Sequence, residues 1–257
     1  MTNERQFLLQ HSAHDYDDLV RRWEQVAQSA SLQMECFHQS GDLPHFFLRG
    51  EADSEGVYLS AGIHGDEAAA TLGLIQWAET SVEWIATQSI LIFPCLNPWG
   101  LINNRRHNAD DEDLNRCFGQ TNHPLIKDWA AVIGKNRFQT AACLHEDYDA
   151  RGCYLYELSP PGSSLGERCL EATEAIIPRE PDAHIEGRPA NNALIYHDGD
   201  LEELTAELEK EEGGLPEAIQ LAINHAERSL TFETPSEYSL YLRVQAQMTF
   251  LDTMTRP

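Results

Sequence analysis

The stretch Val57-Tyr58-Leu59-Ser60-Ala61-Gly62-Ile63-His64-Gly65-Asp66-Glu67 opens the reading of this chain. A short apolar run ends at Gly62. A His and a Glu then stand three residues apart, ahead of an Ala-rich segment with helical composition. The run reads as a buried strand and the segment from Asp66 to Trp77 as the helix after it, with a possible extension toward Ile85. Imidazole and carboxylate are both zinc donors, and at this spacing they reach one point. Alone, the pair is better explained by a polar His beside an acidic first helical turn.

Outward from this stretch, apolar strand-like runs alternate with amphipathic ones. Toward the N-terminus, Asp15–Ala30 has helical spacing, with Leu19, Trp23, Val26 and Ala27 on one face, and Leu32–Gln39 and Phe46–Gly50 read as strands joined at Gly41-Asp42. Toward the C-terminus, strands are expected at 89–94, 137–144, 152–158, 193–196 and 229–233. Helices are expected at 124–136, 164–176, 202–211, 216–227 and 236–254, the last capped by Ser236. Asn97–Asn115 reads as a long polar loop, and the Pro-bearing segment Ile177–Asn192 as a surface excursion. This alternation predicts α/β architecture, three layers around a mostly parallel or mixed sheet, with residues 1–257 forming one domain.

Composition narrows the function. The chain has 257 residues and a formal charge of −24, which argues against nucleic-acid and anionic-membrane partners. No apolar run approaches the ~20 residues of a membrane span, and the polar start Met1-Thr2-Asn3-Glu4-Arg5 has no apolar stretch behind it. The six cysteines are scattered without a CxxC pair, as expected of free thiols in a reducing compartment. A cytoplasmic location is the expectation.

Three further stretches bear on chemistry. The segment Asn97-Pro98-Trp99-Gly100 leads to Arg106-His107-Asn108-Ala109 and Asp113-Leu114-Asn115-Arg116, bringing guanidinium and amide groups that pair with carboxylates and stabilise oxyanions. A second apolar run, Ala141-Ala142-Cys143-Leu144, ends at His145 and offers a third ligand. A last run, Ser229-Leu230-Thr231-Phe232, ends at Glu233 before Thr234-Pro235, and Glu233 is a candidate general base.

Taken in order, these stretches resemble the zinc carboxypeptidase family, with a more distant relation to the succinylglutamate desuccinylase/aspartoacylase group. The resemblance runs from Val57 to Pro235. It implies an α/β/α domain with a mixed, twisted sheet of about eight strands. It also implies one Zn²⁺ held by His64, Glu67 and His145, with Arg106 polarising a scissile carbonyl. In the same scheme Asn115 and Arg116 hold a free carboxylate, and Glu233 is the base. Arg105 stands beside Arg106, and the spacing to Asn108-Ala109 selects Arg106. The family's mobile tyrosine has no clear counterpart, and Tyr196 is the nearest candidate. Glu146-Asp147, next to His145, could support that ligand or select a basic substrate end. The activity implied is hydrolysis of an amide bond near a free carboxylate, by a metallocarboxypeptidase or peptide amidase. The alternative is an N-acyl amino acid deacylase; those enzymes carry an added C-terminal β domain, and only 24 residues follow Glu233 here. The partner in either case is a peptide or acyl-amino-acid substrate.

Overall fold

Apolar strands covered on both faces build the centre of the molecule. The computed structural model describes residues 3–10, 12–50, 56–197 and 201–256. In chain order, α1 (Asn3–Gln10) and α2 (Tyr16–Ala30) precede β1 (Gln33–Ser40), β2 (Leu43–Arg49) and β3 (Gly56–Ala61). Then come α3 (Ala68–Thr80), α4 (Val82–Ile85), β4 (Ile90–Phe93), α5 (Pro98–Asn103), α6 (Pro124–Ile133), β5 (Phe138–Asp147), β6 (Tyr154–Leu158) and α7 (Leu165–Thr173). The hairpin β7 (His184–Ile185) and β8 (Arg188–Pro189) leads to β9 (Leu194–His197), α8 (Leu201–Glu212), α9 (Glu217–Asn224), β10 (Ala226–Pro235) and α10 (Leu240–Thr255).

Eight strands form one sheet in the order β1-β2-β4-β3-β5-β10-β6-β9, mixed in direction, as the resemblance implied. The middle of the sheet is parallel: β3 runs with β4 and β5, and β5 with β10. Such strands are buried on both faces, and their side chains divide accordingly. Leu59, Ala142, Leu144, Leu230 and Phe232 face one layer, with Trp23 of α2, Trp77 of α3, Leu170 of α7 and Phe250 of α10. Phe232 and Phe250 stack with centroids 4.5 Å apart. Tyr58, Ala141 and Cys143 face the other layer, with Trp129 of α6 and Leu221 of α9. No described helix is long and apolar enough to cross a membrane, and all six cysteines are free.

Several boundaries differ from the sequence reading, each for a local reason. The polar loop from Asn97 contains α5: the Asn97 side chain accepts from the Gly100 amide at 2.9 Å, and Pro98 occupies the first turn, a standard helix start. A 3₁₀ turn at Leu114–Arg116 closes the same segment. The last helix begins four residues later than expected, because Ser239 rather than Ser236 accepts from the Leu242 amide. The 177–192 excursion holds the β7–β8 hairpin.

Two glycines shape the turn that carries the chain from β3 through His64 to Glu67. Gly62 has φ +65, a left-handed turn off the strand end. Gly65 lies against α5, its amide donating to Arg105 O at 3.1 Å. A Cβ on Gly65 would lie 1.9 Å from the Gly100 carbonyl carbon. The variant Gly65→Ala is therefore expected to lose about 1–3 kcal/mol of stability, measured as a lowered urea midpoint.

Candidate metal centre

Parallel pairing of β3 and β5 aligns Ala61 with Leu144, so His64 and His145 emerge at the same edge of the sheet. Glu67 sits immediately before α3. Its Oε1 lies 2.5 Å from His64 Nδ1 and its Oε2 2.9 Å from His145 Nδ1. One donor atom from each residue falls within 4.8 Å of the others, and all three residues are buried. Burial opposes the charge on Glu67, but the two imidazoles outweigh it and bring its pKa down to about 2. Burial likewise opposes charge on both histidines, and Glu67 raises them. Two imidazole nitrogens and a carboxylate converging in a buried pocket are a donor set suited to zinc with an open fourth position.

Asp113 braces this group. Its Oδ1 is 3.2 Å from His64 Nε2 and accepts the Asn115 amide at 2.9 Å. Its Oδ2 accepts from Arg106 Nε and Nη2 at 3.1 and 2.9 Å. Arg106 Nη1 is left toward the ligands, 3.2 Å from His64 Nδ1 and 3.7 Å from Glu67 Oε1. Arg105 points elsewhere, 3.7 Å from Asp111 and over the Trp99 ring.

A cavity of about 560 Å³ opens beside the ligands. Glu233 lines it, in register with His145 on β5 and with Tyr154 on β6. Burial pushes Glu233 well above the usual carboxylate range; His145 opposes this, and Glu67 and Glu186 add to it. Arg116 lines the same cavity, donating to Asn115 O at 3.0 Å and pairing with Glu212. The Asn115 side-chain oxygen accepts the Glu217 amide at 2.9 Å. Tyr196 borders the cavity from β9, where its hydroxyl donates to Pro160 O at 2.8 Å. Register pairs Tyr196 with Glu157 and Ile195 with Tyr156, so Tyr196 leaves its strand on the face away from Glu233.

Glu146 and Asp147 are spent on structure. Glu146 accepts the Ala69 amide at 2.7 Å and pairs with Arg243 of α10. Asp147 accepts from the Tyr154 hydroxyl at 2.9 Å.

Sequence reasoning gave no role to three residues that the fold brings here. Asp113 was in view, inside the Asp-Leu-Asn-Arg stretch. Tyr148, three residues after His145, lines the cavity at 55% exposure; burial and then Asp66 raise its hydroxyl pKa to about 12. Glu217 is buried under Asn115, accepting from the Tyr58 hydroxyl and, at 2.9 Å, from Ser60.

Proteins of known structure share this fold. Residues 53–171 match the family model of the succinylglutamate desuccinylase/aspartoacylase catalytic domain. A candidate metallopeptidase from Shewanella amazonensis superposes with TM-score 0.80 at 18% identity, over 94% of this chain and 92% of that one. One from Shewanella baltica gives 0.80 at 19%, over 95% and 92%. A metallo-carboxypeptidase from Pseudomonas aeruginosa, in complex with (2-guanidinoethylmercapto)succinic acid, gives 0.57 at 17%, over 95% and 68%. No curated protein matches the chain. The fold is that of the zinc carboxypeptidases, and part of the chain carries the desuccinylase/aspartoacylase signature, as the ordered stretches implied. Together they support a metallohydrolase.

Glu217 yields a pH test. Burial raises its carboxyl above the usual range, against the hydrogen bonds from Tyr58 and Ser60. Because the folded value is the higher one, its contribution to stability is full below the unfolded value and is lost as pH rises through the folded one. Urea midpoints measured between about pH 4.5 and 8 should fall less steeply in Glu217→Gln than in the native chain.

Proposed function

We propose that residues 1–257 form one catalytic domain, a zinc-dependent hydrolase that cleaves an amide bond next to a residue with a free carboxylate. The observation that carries this reading is the gathering of His64, Glu67, His145, Arg106, Arg116 and Glu233 on one cavity. His64, Glu67 and His145 would hold the zinc, which supplies Lewis acidity toward the carbonyl and toward water. Arg106, fixed by Asp113, directs Nη1 to the developing negative charge on the carbonyl oxygen. Glu233 takes a proton from the attacking water and returns it to the departing amine. Arg116 and Asn115 receive the substrate carboxylate, which sets the cleaved bond one residue away. Tyr148, exposed at the cavity mouth, offers a phenol to the bound substrate in place of Tyr196, which leaves β9 on the face away from Glu233.

In the first reading the substrate is a peptide and the activity that of a metallocarboxypeptidase or peptide amidase. The match over residues 53–171 favours a second, N-acyl amino acid deacylation, which uses the same centre and anchor. A panel of short peptides against N-acyl amino acids separates them by which set is turned over.

Purified protein should carry about one zinc per chain and lose activity to a chelator. Glu233→Gln should keep the zinc and lose about 10²–10⁴-fold in kcat. Native-level turnover in that variant would refute the assignment of the base. Asp113→Ala should weaken zinc binding about 10–100-fold in a chelator competition, because His64 loses the acceptor that orients it.

A further inference from the structure

The three arginines on the cavity wall each face a carboxylate of the protein itself. Arg106 is on Asp113, Arg188 lies 3.6 Å from Glu207, and Arg116 is paired with Glu212. No lysine lines the cavity among the described residues. Glu212 and Glu207 both belong to α8, whose Leu204 and Leu208 form part of the same wall together with Ile219.

Glu212 is the last residue of α8, followed by Gly213 at φ +77. A carboxylate there meets the negative end of the helix dipole, so it depends on a nearby cation. Glu211 next to it adds to the repulsion. If Arg116 receives a substrate carboxylate, as the proposed function has it, Glu212 must give way. Neither of the other two arginines is then free to take it. Across the cavity, Glu186 makes no ion pair among the described residues and accepts from the Tyr156 hydroxyl at 2.5 Å. The cavity thus gains an anion on binding, and among the described residues no further arginine or lysine lines its wall to meet Glu212.

We infer that Glu212 is a specificity-determining residue: it occupies Arg116 in the free protein and transfers to a cationic group of the carboxylate-bearing residue of the substrate. The site then takes terminal residues with basic side chains, of the lysine, arginine or diamino acid class. Leu204, Leu208 and Ile219 offer an apolar wall for the methylene stem of such a side chain, while its charged end meets Glu212. This inference rests on the carboxylate anchor at Arg116 and adds to it the identity of the anchored residue.

The test uses two peptides of nearly equal shape, benzoylglycyl-lysine and benzoylglycyl-norleucine, with the zinc-loaded full chain. The native protein is expected to favour the lysine peptide in kcat/KM. In Glu212→Gln, KM for the norleucine peptide should fall about two- to fivefold, because the internal competitor is gone, and KM for the lysine peptide should rise by a similar factor. Glu211→Gln, one exposed residue away, should leave the ratio of the two unchanged. An equal change for both peptides in Glu212→Gln, or none, overturns the role of Glu212 and leaves the anchor standing. Failure of both peptides to bind the native protein in a calorimetric titration overturns the anchor itself, and this inference with it.

Discussion

The carboxylate of Glu67, buried between two imidazoles, is the constraint on which the rest of the site depends. A buried anion without partners is strongly disfavoured, and here the partners are His64 at 2.5 Å and His145 at 2.9 Å. Glu67 and His145 stand 78 residues apart in the chain, so their contact exists only if β3 and β5 pair in parallel and in one register. Slipping that register by one residue would turn His145 to the opposite face of the sheet. The apolar residues that fix the register lie further down the same strands: Tyr58 against Ala141 and Leu59 against Ala142, buried on both faces. Core packing and the mutual placement of His64, Glu67 and His145 are therefore set by the same pairing.

That dependence explains what could be read from the chain alone. A strand end with a polar residue after it leaves a local trace, and His64, His145 and Glu233 all follow apolar runs. The parallel centre of the sheet was legible because strands covered on both faces carry no polar alternation. The Asn97-Pro98 helix start carried an equally local signal, a capping side chain followed by Pro at the first turn. Reading the segment by its polarity hid it. The role of Glu217 had no local trace. It contacts Tyr58 and Ser60 across 159 and 157 residues, and its amide reaches Asn115 across 102. Only the folded sheet brings these together.

Tyrosine shows the same limit from another side. Tyr196 lies near the cavity in space, but one position in strand register separates it from the Ile195 face, and its hydroxyl is already donated to a main-chain carbonyl. Tyr148 lies beyond the end of β5, where the pleat no longer dictates direction, and that frees it to stand at the cavity mouth. Proximity along the chain to His145 was the available clue, and it is a weak one. Glu146 is nearer still to His145, yet it is committed to the start of α3 and to Arg243.

Glu146 and Asp113 divide between them the work of holding the two histidines. Glu146 fixes the amide of Ala69, two residues past Glu67, and ties it to α10, whose Gln247 donates to His145 O at 2.8 Å. Asp113 fixes the imidazole of His64 and the guanidinium of Arg106 together, and its contact with the Asn115 amide extends the bracing toward the anchor. The spacing from Arg106 through Asp113 to Arg116 thus has a mechanical cause. One carboxylate must reach back to the arginine, across to the ligand and forward to the turn that presents Asn115 and Arg116. Groups held in this way need little rearrangement when charge develops on a substrate, which is where fixed dipoles and charges contribute most. Arg116 differs from Arg106 in this respect. Arg106 is gripped at Nε and Nη2 by the one carboxylate of Asp113, whereas the carboxylate facing Arg116, Glu212, comes from a helix at the cavity wall. In the proposed scheme the arginine braced by Asp113 faces the bond that changes, and the one paired with Glu212 faces the group to be recognised.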